Sequence, residues 1–140
     1  MSEFDLERFV AAQDGVYAAA LGELRCGRKT SHWMWFVFPQ ITGLGHSATA
    51  RYYAIADIVE ACAYLAHPLL GPRLTECTAA LLGHRGLSAE AILGPVDAMK
   101  LRSSMTLFAA AAEDPTPFAA VLDALFTGAR DAGTLDRLGG

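Results

Sequence analysis

Apolar residues that recur every three and four positions constrain this chain most. Leu6, Phe9, Val10, Val16, Tyr17, Ala20, Leu21 and Leu24 trace one such stripe, and Phe118, Val121, Leu122, Leu125 and Phe126 trace another. That spacing places side chains on one face of an α-helix, so each segment needs a partner to cover its face. With alanine enriched between the stripes, the pattern predicts an all-α, mainly helical fold of about six helices. At 140 residues the expectation is a single compact domain over 1–140, with enough buried surface to need no disulfide or metal staple.

The punctuation predicts where the helices stop. A first helix is expected from Glu3 to Arg25, with Ser2 as N-cap and Gly27 closing it. Gln13 interrupts its apolar stripe. A second helix follows Ser47 or Thr49, carries Ile55, Ile58, Val59, Cys62 and Leu65 inward, and ends at His67-Pro68. A third begins between Leu69 and Arg73 and buries Leu70, Leu74, Cys77 and Leu81. Ser88 caps a short turn that stops at Gly94, Pro95 opens the next helix, and Thr116-Pro117 opens a sixth that Gly128 ends. Residues 129–138 leave room for one more short helix. Asp57 and Glu60 read as a solvated face, although Glu60, beside Tyr64, is also placed to hydrogen-bond inward.

Residues 28–48 lose the helical period. His32-Trp33-Met34-Trp35-Phe36-Val37-Phe38 reads as a short extended segment or an irregular buried loop. If extended, His32, Met34, Phe36 and Phe38 face one side and the tryptophans the other.

Several function classes are disfavoured. A net charge of -4 provides no general basic face for nucleic acid. No apolar run approaches the roughly 20 residues that cross a bilayer, and the acidic start Met-Ser-Glu-Phe-Asp does not read as a signal peptide. The expected location is cytoplasmic. Cys26, Cys62 and Cys77 lack metal-ligand spacing; Cys62 and Cys77 read as core, while Cys26 lies beside Arg25, Arg28 and Lys29, a setting that can activate a thiol. His32, His46, His67 and His84 are scattered, so no metal and no cofactor is expected.

Two segments carry unusual chemistry. Lys29 and Lys100 are the two lysines among 11 cationic residues, and each falls in one of these segments. Asp97, Lys100 and Ser104 share a helix face, with Ser103 beside them. A carboxylate, an ammonium and hydroxyls on a half-buried face fit a phosphate or carboxylate ligand; an internal ion pair with serines bonded to their own helix fits equally. Lys29, His32, Trp33, Trp35 and Gln40 combine a cation, a titratable imidazole and stacking faces, as a nucleotide-like ligand requires. Core packing is the competing reading. Gln13 is placed to reach this site from below or to satisfy a loop carbonyl, and Glu23 to pair with Lys29.

The motifs themselves resemble a known family. Gly27-Arg28-Lys29, His32-Trp33-Met34-Trp35-Phe36, Phe38-Pro39-Gln40, Asp97-x-x-Lys100 and Ser103-Ser104-Met105-Thr106-Leu107-Phe108 are similar to the signatures of domain of unknown function 1810, an uncharacterised bacterial family. Leu93 stands where that pattern has phenylalanine. The resemblance implies a mainly helical fold and brings no established activity.

Two functional expectations follow. In the first, the 28–40 segment meets the Asp97–Ser104 face to form a cleft for a small anionic, nucleotide-like ligand. Gln13, Lys29, Trp33, Trp35, Gln40, Lys100, Ser103 and Ser104 would bind it, and hydrolysis, if any, would use His32 or Asp97. In the second, the chain is a non-catalytic interaction domain, in homodimeric form, whose polar stripe only locks the fold.

Overall fold

The computed structural model describes residues 4–84 and 86–139. The expected N-cap Ser2 and helix start Glu3 lie outside the described residues. The all-α expectation holds, but the helices are more numerous than about six. Ten are present among the described residues: α1 (Glu7–Gln13), α2 (Tyr17–Arg25), α3 (Met34–Val37), α4 (Ala48–Tyr52), α5 (Ile58–Ala66), α6 (Leu70–Leu82), α7 (Ala89–Leu93), α8 (Pro95–Ala111), α9 (Thr116–Phe126) and α10 (Ala132–Arg137). The excess comes from splitting, and each split has a local cause.

The single helix expected over 3–25 breaks after Gln13. Gly15 adopts a left-handed φ of 75°, which ends α1 and restarts the chain as α2. The break turns Gln13 into the core. Its Nε2 donates to the Phe36 carbonyl at 2.7 Å and to the Tyr64 hydroxyl at 3.2 Å, and its Oε1 accepts from Arg73 at 3.2 Å. One side chain thereby ties α1 to α3, α5 and α6.

The expected second helix also divides. Ser47 caps α4 through the Ala50 amide and Asp57 caps α5 through the Glu60 amide. Between them Ile55 pairs as an isolated parallel bridge with Ile41. Restarting at Asp57 rotates the buried face. Glu60, Ala61 and Tyr64 point inward, whereas Val59 and Cys62 are exposed. Glu60 is not on a solvated face: it pairs with Arg8 at 3.0 Å and accepts from the Ala56 amide at 2.7 Å. Arg8 also donates to the carbonyls of Tyr52 and Ala54. A buried carboxylate needs such partners to be tolerated.

The aromatic segment is helical, not extended. Trp33, Met34, Val37 and Phe38 are the buried members, a spacing of three and four that fits one helical turn rather than alternation. Phe9, Tyr64, Phe108 and Phe118 continue this core as a chain of tilted and edge-on ring contacts. α8 runs through the middle of the molecule and packs against α5, α7, α9 and α10. It is nearly all buried from Leu101 to Phe108, so its middle is core while its N-terminal turns and its last residues reach the surface. None of the described helices is long and apolar enough to cross a membrane.

Candidate functional site

The two unusual segments do meet. α2 ends in a paired capping motif: Gly27, at φ 76°, donates to the Leu24 carbonyl and Arg28 donates to the Glu23 carbonyl. The chain leaves this cap with Lys29 facing α8, and the Lys29 amide fixes it there by donating to the Ile92 carbonyl of α7 at 2.8 Å. From the other side, Gly94 joins α7 to α8 with φ 86° and ψ 161°, a region open essentially to glycine. That turn delivers Asp97, in the first turn of α8, to Lys29. A carboxylate there also suits the positive end of the helix dipole.

The result is a charge cluster. Asp97 accepts from the Lys29 ammonium at 2.9 Å through one oxygen and faces the Lys100 ammonium at 3.5 Å through the other. Lys29 lies 5.1 Å from the centre of the Trp33 ring, and Lys100 lies 4.4 Å from that of Trp35. The lysines differ in access: the Lys29 side chain is 9% exposed and that of Lys100 21%. Two ammonium groups share one carboxylate, so a positive charge is left over, nearer solvent at Lys100.

Glu23 builds the floor of this arrangement. It does not pair with Lys29. Its carboxylate accepts from the Thr30 and Ser31 amides, the Ser31 hydroxyl and the Trp33 indole. Desolvation pushes its pKa up, but hydrogen bonds from Ser31, Thr30 and Trp33 outweigh it and hold the carboxyl near 2. The loop is thus wound around an ionised side chain.

The remaining residues expected at the site fall into place individually. Trp33 is fully buried and held by Glu23, so its ring has no free face; Trp35 is half-buried and reaches the surface. His32 is exposed. Gln40 contributes its backbone carbonyl to the Ile55 amide at 2.8 Å. Ser103 is buried and its hydroxyl returns to the Met99 carbonyl at 3.3 Å. Ser104 is fully buried, and its hydroxyl has no hydrogen-bond partner among the described residues. Gln13 belongs to the α1–α6 network above.

A neighbouring groove of about 520 Å³ is lined by Trp35, Phe36, Ala48, Thr49, Tyr52 and Tyr53. Trp35 is common to the groove and the charge cluster. The tyrosines and Thr49 were not singled out from the sequence; the one available signal was the Tyr52-Tyr53 pair just beyond the Ser47 cap. Among the described residues no group of histidine, cysteine or carboxylate side chains is arranged to hold a metal ion.

A family model described as a protein of unknown function, DUF1810, matches residues 3–138. The chain belongs to that family. It is also similar to the crystal structure of the conserved hypothetical protein Rv1873 from Mycobacterium tuberculosis, at 51% identity and a TM-score of 0.97 over 99% of each chain. Comparison with curated proteins gives no match. Within the DUF1810 chain, therefore, function has to be argued from the site itself.

Proposed function

We propose that this protein binds a small, planar, anionic ligand of nucleotide-like chemistry, with its ring in the Trp35–Tyr52–Tyr53 groove and its anion at Lys100. The observation that carries the reading is the sharing of Trp35: the ring that lines the groove also lies 4.4 Å from the Lys100 ammonium. A ligand with a ring and a phosphate or carboxylate would place one on the aromatic wall and the other on the surplus cation. Asp97 acts as an anchor in this reading. Both its oxygens face ammonium groups, which orients Lys100. The proposal is binding, and it assigns no chemical step to His32 or Asp97.

The competing reading treats the polar stripe as structural. The Ser103 back-bond and the close Lys29–Asp97 pair favour it. A thermal-shift panel separates the two. Nucleotides, NAD, ADP-ribose and aromatic carboxylates would be compared with non-planar sugar phosphates, in wild type, Lys100→Ala and Trp35→Leu. A ligand at about 100 times its Kd adds roughly 2.7 kcal/mol, a shift of several degrees. Planar anions should raise the midpoint of wild type alone. If no planar anion shifts it, or if the shift survives in both variants, the binding proposal fails.

A further inference from the structure

A second cleft lies across the molecule's α5, α6 and α9 helices, built from residues that the first site does not use. It has a volume of about 650 Å³, and its walls come from the C-terminal end of α5, from Thr75 of α6, from the turn after α8 and from the start of α9. Leu65 and Pro117, both partly exposed, give the cleft an apolar surface, with the buried Phe118 beneath it. Its polar character is one-sided. Glu113 and Asp114 are exposed on its lining, and among the described lining residues none is basic.

The helices add to that sign. α5 ends at Ala66 and α8 at Ala111, both on the cleft, and neither carries a basic residue in its last turn. Helix C-termini present carbonyl oxygens and the negative end of the dipole. The Cys62 thiol takes the Ala111 carbonyl at 3.5 Å, which is a weak donor for such a group. The opposing positive end of α9 is already engaged, because Asp114 accepts from the Thr116 amide and hydroxyl. Glu113 forms no ion pair within the described residues. An apolar pocket surrounded by carboxylates and carbonyls rejects anions and favours a cation that carries its own apolar body.

We propose that this cleft binds a small amphiphilic cation, an alkyl or aryl chain ending in an ammonium group, with the chain against Leu65 and Pro117 and the charge at Glu113 and the α8 terminus. The volume suits a ligand of drug-like size or below. The site is independent of the Lys100 groove, whose charge has the opposite sign.

Cys62 gives the test a built-in reporter. It lines the cleft and is exposed, Cys77 is buried, and Cys26 is the other exposed thiol. In a Cys26→Ser protein, alkylation by N-ethylmaleimide therefore reads Cys62. Its rate would be followed against hexyltrimethylammonium, 1-hexanol and hexanoate. The cation should slow alkylation saturably, at about one-tenth the concentration that hexanol requires, a difference of about 1.4 kcal/mol; hexanoate should be weakest. Glu113→Gln with Asp114→Asn should erase the gap between cation and alcohol. Asparagine keeps an oxygen for the Thr116 amide, and circular dichroism would verify the fold. Equal potency of cation and alcohol, no protection by the cation, or a gap that persists in the double variant would each overturn the proposal.

Discussion

Lys29 and Asp97 close a 2.9 Å ion pair between the loop after α2 and the first turn of α8. Each is set by a glycine that adopts a positive φ, Gly27 on one side and Gly94 on the other. The pair is accordingly a joint between two chain segments, and Lys100 is the neighbour that the joint leaves underused.

The two lysines should therefore respond differently to truncation. Lys29→Ala removes a largely buried ammonium and leaves Asp97 with its weaker partner, at a cost of about 1–3 kcal/mol. Lys100→Ala removes a longer and more exposed contact, worth about 0.2–1 kcal/mol. Urea denaturation of both variants checks the order; equal losses would contradict the assignment of Lys29 as the structural member.

Glu23 predicts an acid sensitivity with a defined sign. Its carboxyl is held near 2 against an ordinary 4.5, so the fold favours the ionised form. The stabilisation is complete above about pH 4.5 and is lost as the pH falls towards 2. Stability measured across that window should fall in wild type and fall less steeply in Glu23→Gln. Parallel curves for the two proteins would show that the loop does not depend on this charge.

Two glycines make a paired test of packing. A Cβ on Gly71 would lie 2.1 Å from the Leu65 carbonyl oxygen, while one on Gly22 meets nothing within 4 Å. Gly71→Ala should cost about 1–3 kcal/mol or more from backbone displacement. Gly22→Ala, inside α2, should stabilise by about 0.5–1 kcal/mol. Thermal midpoints moving in opposite directions are the expected result.

Gln13 offers a test of the buried network. Gln13→Leu would remove one bond each from the Phe36 carbonyl, the Tyr64 hydroxyl and Arg73, leaving the first two with only their mutual 3.4 Å bond. Removing the partner of buried polar groups costs about 1–3 kcal/mol. Guanidinium denaturation should show a loss of that order.

Much of the fold was legible because periodicity and caps are local. Ser47, Ser88, Pro95 and Gly128 mark the boundaries that the structure has; the α6 stripe buries Leu70, Leu74, Cys77 and Leu81 as its spacing predicts, and the α9 stripe buries Phe118, Val121 and Leu122 but leaves Leu125 and Phe126 only partly covered. The misreadings were those where tertiary contacts overrule local pattern. Gly15 sits inside an apparently continuous stripe, and nothing near it in sequence reveals that Gln13 must reach Phe36 and Arg73. On α5, Val59 and Cys62 look apolar, yet the buried place goes to Glu60 because Arg8 waits for it.

The candidate site shows the same division. Asp97, Lys100 and Trp35 stood out as residue types in odd company, and their meeting with Lys29 depends on the turns at Gly27 and Gly94, each marked in the sequence only as a helix end. Which tryptophan keeps a free face depended on Glu23 capturing the Trp33 indole at 3.0 Å, a contact with no sequence signature. The Tyr52–Tyr53 wall was hidden for a similar reason, since it becomes a groove only once α4 is set against Trp35.

The central claim is that one aromatic wall and one spare ammonium act together on a single ligand. Calorimetric titration with adenosine 5′-monophosphate, adenosine and ribose 5-phosphate tests it most directly, in wild type and in Lys100→Ala. The monophosphate should bind wild type more tightly than either fragment and fall to the level of adenosine in Lys100→Ala. No binding of the monophosphate, or equal binding by the two proteins, would contradict it.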